Sequence, residues 1–159
     1  MNAVTAPMVV SSSGAAWNRH SVCCSSLAEG LSRPLGTTSG GFGMHTGHGG
    51  AADFPMYIVI DVSSGYPGGL ALNQLQWTVH SNGFGSYSVE GSNDGGSSWV
   101  SVADVNMNGA GSGNADGAIH TDDWTNNVAY VRYRVVIRDY NNAGGVGGWA
   151  VYTWQWNRV

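Results

Sequence analysis

The sequence predicts an all-β fold, an antiparallel β-sandwich of the jelly-roll kind. Three observations carry that expectation. Apolar residues recur in short unbroken runs or at every second position, the patterns of strands buried on both faces or on one. Clusters of Gly, Ser, Asn and Asp punctuate the runs, as tight turns require. No amphipathic helical pattern exceeds two turns, so the chain has no crossover helices from which to build a parallel sheet.

Residues 1–55 are the least regular part. "MVVSSS" at 8–13 reads as a short strand, and "SVCCSSLAEGL" as a strand or a helical turn capped by Ser25. A loop rich in Gly and His follows at 36–50, and loops of that length are usually functional or mobile. From residue 56 the pattern sharpens. "MYIVIDV" (56–62) is an unbroken apolar run, as expected of a strand buried on both faces. "LQWTVH" (75–80) alternates, with Leu75, Trp77 and Val79 on one face and Gln76, Thr78 and His80 on the other. "YSVEG" (87–91) is the next strand. Asn93, Asp94, Gly95 and Gly96 tolerate positive φ and turn the chain back into "SWVSVADV" (98–105). Residues 106–129 read as a second long polar loop. "YVRYRVVIRD" (130–139) places Val131, Tyr133, Val135 and Ile137 on one side and Arg132, Arg134 and Arg138 on the other. "WAVYTWQW" (149–156) is the last strand.

The 159 residues suffice for one domain, spanning 1–159, with a real core. Only 10% are charged, the six cations are all Arg, and the net charge is −4. A chain that neutralises phosphates needs a basic patch, so nucleic acid is excluded as a partner, and anionic membranes are disfavoured. No window approaches the ~20 apolar residues of a membrane span, so no membrane insertion is expected. Cys23 and Cys24 are neighbours and make no disulfide framework. With no secretory signal pattern at the start, synthesis in a host cytoplasm is the expectation.

The order "YIVIDV", "LNQLQWTV", "YSVEGSNDGGSSWVSV", "YVRYRVVIRD" resembles the discoidin family, also called coagulation-factor type C domains. Ile60-Asp61-Val62, the hairpin residues Tyr87, Val89, Ser92, Asp94, Gly95 and Trp99, and Tyr130-Val131-Arg132 match its motifs. The likeness covers about residues 56–140. It implies a galactose-binding-like jelly roll of about eight strands that binds sugars, lipids or proteins through loops at one end and catalyses nothing. The family's Ala-x-Asp-Gly turn has Ala28-Glu29-Gly30 as its nearest counterpart, and its flanking disulfide is absent, so no ligand positions carry across.

Strict alternation of strand direction assigns each connection to an end. The segment before residue 56, the loop 81–86 and the loop 106–129 would share one end. The segments 63–74, 93–96 and 139–148 would share the other. The first end would then gather His45, His48, Phe84, Asp104, Asp116, Asp122, Asp123 and Trp124. Aromatic rings stack on apolar sugar faces while carboxylates accept hydroxyl protons, so Trp124, Asp122, Asp123, Phe84, His45 and His48 form a candidate ligand site. Trp124 has a second reading, as a ring that packs its loop onto the core. Asp104, Asn106, Asn108 and Gly109 match the first half of a calcium loop, but the twelfth position is Ala115 where a bidentate Glu belongs. His45, His48 and His20 are the other conceivable metal donors. No cofactor is expected otherwise, and no nucleophile elbow or paired-Glu arrangement marks an enzyme. Arg132, Arg134 and Arg138 form a candidate subunit interface, or a solvated face offset by local Asp residues.

Low charge and an abundance of Gly, Ser and Asn suit a protein built into an assembly. The leading expectation is a non-enzymatic bacteriophage virion protein, a capsid decoration or tail adhesin, whose partners are other virion proteins or itself in a homo-oligomer such as a trimer. The alternative is a lectin-like module for cell-surface glycans.

Overall fold

The structure is a computed structural model that describes residues 2–3, 8–13, 34, 36, 38, 44–45, 55–79, 86–105, 117–138 and 150–159. Among these lie ten strands: β1 (Asn2–Ala3), β2 (Met8–Ser13), β3 (Met44–His45), β4 (Met56–Asp61), β5 (Gln74–Val79), β6 (Tyr87–Ser92), β7 (Val100–Val105), β8 (Ile119–Asp123), β9 (Arg132–Ile137) and β10 (Ala150–Arg158). They form two sheets. One runs β1-β10-β5-β8, with β3 also on β10, and the other runs β2-β4-β9-β6-β7. Every pairing is antiparallel. The fold is the all-β antiparallel sandwich expected of the sequence.

Alternation explains the core. Met56, Ile58 and Ile60 of β4, Tyr133, Val135 and Ile137 of β9, and Leu75, Trp77 and Val79 of β5 are all fully buried. The partner faces supply Tyr87 and Val89 from β6 and Trp154 and Trp156 from β10. Trp77 lies on its strand neighbour Trp154 with centroids 5.5 Å apart and planes 10° apart. Trp77 also meets Tyr87 of the opposite sheet edge-on at 5.6 Å. Such pairs add roughly 0.5–1.5 kcal/mol each beyond their buried area. Tyr133 closes one end of the core. Its hydroxyl donates to the Leu70 carbonyl and accepts from the Leu72 amide (3.1 Å) and the Asn126 amide (3.2 Å), stitching two connections together. Burial pushes the Tyr133 phenol up from its ordinary pKa.

Two sequence expectations need correction. The run 56–62 is not buried on both faces: Tyr57 and Val59 are only half-buried and look outward. More consequentially, the polar stretch 106–129 contains a strand, β8. Its inward residues are His120 and Asp122, and its one large apolar side chain, Ile119, is 52% exposed. An edge strand needs only a backbone ladder, here to β5 from Thr78 opposite Ile119 to Gln74 opposite Asp123. That one extra strand reverses the direction of everything after it.

Candidate functional site

The positions of the strand ends follow from the register. β4 begins at Met56 beside Ile137, the end of β9, and Ile137 also pairs with Tyr87, the start of β6. β5 ends at Val79 beside Val151 of β10, where His45 of β3 also pairs. The opposite end holds Asp61, Gln74, Ser92, Asp123, Arg132 and Asn157. Asp123 and Trp124 are therefore at the far end from His45, and the expected grouping of these residues does not form. β9 likewise finishes at the end opposite to the one assigned to the connection 139–148. Phe84, His48, His20, Asp116, Asn106, Asn108, Cys23 and Cys24 lie outside the described residues.

Trp124, Asp123, Asp122 and Asp104 each have a local role. The Trp124 indole donates to the Leu72 carbonyl (2.9 Å) and meets Trp156 edge-on at 6.4 Å, so it packs its segment onto the core. Asp123 accepts from the Gln74 side chain at 2.6 Å. Asp122 points inward, accepting the Tyr87 hydroxyl proton and lying 2.9 Å from His120 Nε2. Burial first, and the Asp122 charge second, hold the Tyr87 phenol well above its ordinary pKa. Asp104 sits in β7 and pairs with Arg138 at 3.0 Å. Among the described residues no three His, Cys, Asp or Glu side chains gather as a metal site.

The outer face of the second sheet carries a concavity built from β4, β9 and the β6–β7 turn. Register places Asp61 beside Arg132 and Val59 beside Arg134 on one flank, with Ser92 and Glu90 beside the same two arginines on the other. Both arginines use Nε for a carboxylate: Arg132 donates to Asp61 at 2.8 Å and Arg134 donates to Glu90. The row expected as an interface is thus charge-paired within its own chain. Arg132 also donates through Nη1 to the Gly95 carbonyl, which ties the β6–β7 turn to β9. Arg134 lies between two rings, its guanidinium carbon 5.0 Å from the Tyr57 centroid and 4.6 Å from that of Trp99. Each such contact is worth about 0.5–1 kcal/mol at an exposed site.

The turn that carries Trp99 is held by short-range bonds. Asp94 accepts from the Ser98 amide (2.9 Å), the Ser98 hydroxyl and the Ser92 hydroxyl (2.8 Å). Asn93 accepts from the Val131 amide and donates to the Ala129 carbonyl, both at 3.0 Å. Gly95 and Gly96 have φ of 74° and 91°, where a side chain is strained. The Ser98 bonds, with Ser92, hold the Asp94 carboxyl well below the usual carboxylate range. Burial would raise Asp61, but bonds from Ser63 and Arg132 outweigh it and its pKa is lowered.

Together these residues enclose an open cleft of about 470 Å³ lined by Tyr57, Val59, Gly95, Gly96, Trp99, Arg132 and Arg134. It offers aromatic surface and hydrogen-bond donors held in fixed places. Sequence reasoning found the arginines but missed Tyr57 and Trp99 as their partners. Even spacing from Asp61 back to Val59 and Tyr57 was the available signal.

No protein-family model matches the sequence, and no curated protein sequence is similar to it. Solved structures are. The chitosan-binding module 1 of a chitosanase/glucanase from Paenibacillus sp. IK-5 superposes with a TM-score of 0.58 at 14% identity, over 93% of this chain and 94% of that one. The family 32 carbohydrate-binding module of NanJ from C. perfringens, in complex with galactose, gives 0.58 at 12% identity over 92% and 91%. The family 32 module of AlyQ, in complex with 4,5-unsaturated mannuronic acid, gives 0.55 at 13% identity over 98% and 100%. At these identities the likeness is one of fold, and the chain has the discoidin-like β-sandwich of these carbohydrate-binding modules.

Proposed function

We propose that the chain is a non-catalytic carbohydrate-binding module that recognises a glycan. The observation that supports this reading most is the near full-length likeness to three modules whose names carry chitosan, galactose and an unsaturated mannuronic acid. It favours the glycan over the virion-structural role. The outer-face cleft fits the reading chemically. A sugar ring lies against the exposed part of Trp99, and its oxygens take hydrogen bonds from the guanidinium groups of Arg132 and Arg134. Rigid pairing of both arginines keeps those donors in place before binding, which lowers the ordering cost.

Isothermal titration with chito-, galacto- and urono-oligosaccharides tests the proposal. Binding in the micromolar to millimolar range, with no new reducing ends after prolonged incubation, is the expected result. Absence of binding to every saccharide in a broad glycan panel would refute it, as would measurable hydrolysis.

A further inference from the structure

The polar lining of the outer-face cleft is one-sided. Nη1 and Nη2 of Arg134, Nη2 of Arg132 and Nε1 of Trp99 are donors without an acceptor among the described residues. The carboxylates that balance the arginines, Asp61 and Glu90, are each engaged at an Nε and do not line the cleft. Among the described residues the Tyr57 hydroxyl is the one side-chain oxygen in the lining. A neutral sugar brings hydroxyl protons that need acceptors, and the described side chains of the lining offer only the Tyr57 hydroxyl. Leaving such groups unpaired in a desolvated contact is costly. A carboxylate or sulfate has the opposite inventory: it accepts only, and it matches the planar fork of a guanidinium.

We infer that the saccharide group seated against Arg132 and Arg134 is an anionic oxygen group, a carboxylate or a sulfate. The inference rests on the carbohydrate reading above. Two cations and two anions meet at this place, so local charge sums to zero and recognition depends on donor geometry, with no long-range field to draw the ligand in. Glu90 competes with the ligand for Arg134, because a guanidinium already paired donates less strongly to a second anion.

Titration calorimetry with trigalacturonic acid, a sulfated galactotriose and neutral galactotriose tests it on the full chain. The uronate is expected to bind about tenfold tighter than the neutral trisaccharide, the difference of one charge-assisted hydrogen bond. Arg134→Lys, which keeps the charge but loses the fork, is expected to weaken uronate binding about tenfold. Glu90→Gln is expected to tighten it severalfold, an effect in the opposite direction that unfolding cannot mimic. Uronate without sulfate binding assigns a carboxylate; binding of both assigns the shared anionic class. Equal or tighter binding of the neutral sugar overturns the inference and leaves the carbohydrate reading standing. Uronate binding untouched by Arg134→Lys, Arg132→Lys and Glu90→Gln overturns it at this cleft. No binding of any saccharide overturns both.

Discussion

Replacing Asp61 by Asn isolates one ion pair and gives it a pH signature. Asp61 is 8% exposed, and its carboxylate takes Arg132 Nε at 2.8 Å and the Ser63 amide at 2.8 Å. A hydrogen bond to a charged group contributes about 1.5–3 kcal/mol. The Arg132 side chain is 33% exposed, so solvent screens the pair and the lower half of that range applies. The expected loss for Asp61→Asn is about 1.5 kcal/mol at pH 7, or roughly 3–6 °C in Tm for a domain of this size. The folded-state pKa of Asp61 is depressed, so its contribution is fully present above the unfolded value near ~3.9 and disappears as pH falls through the lower folded value. Urea unfolding of the wild type, Asp61→Asn, Arg132→Met and the double variant at pH 7 and at successively lower pH reads the coupling directly. A coupling of about 1 kcal/mol or more at neutral pH that shrinks toward zero in acid is expected. A coupling near zero at pH 7, or one that persists in acid, would refute the reasoning.

Three further outcomes follow from other parts of the structure. Trp124→Ala removes the bond to Leu72 and the edge contact with Trp156, so it should lower stability by about 2–3 kcal/mol in urea unfolding while uronate affinity at the cleft stays unchanged. Gly96→Ala forces a side chain into φ of 91° with its Cβ 3.1 Å from the Trp99 ring. It should cost about 1–2 kcal/mol and shift the Trp99 fluorescence. Carbon-detected NMR should find the Asp94 carboxyl titrating below its ordinary value of 3.8, and Ser98→Ala should move it back up.

Much of the fold was legible because inward residues of β4, β5, β6 and β9 are large and apolar at even spacing. β8 was not legible, since its inward residues are His120 and Asp122 and its apolar one faces out. Periodicity reports burial, and a strand held chiefly by its backbone ladder buries little. The end assignments failed with it, because one unseen strand inverts every later direction. The arginine row was readable from alternation alone. Its cleft was not, since the stacking of Arg134 between Tyr57 and Trp99 depends on which strands are neighbours. Strand order is set by long-range pairing: β9 lies between β4 and β6, far from it in the chain.

The inward His120 and Asp122 also bear on what could attach beside them. Among the described residues β8 is the last strand of its sheet, with a row of backbone groups of the kind a foreign strand pairs with. A newcomer continuing the apolar layer there would set its own greasy side chains next to a carboxylate and an imidazole instead of more hydrocarbon. That mismatch discourages fibril-like growth from this flank, so the polar stretch hardest to recognise as a strand also serves as a guard against runaway stacking.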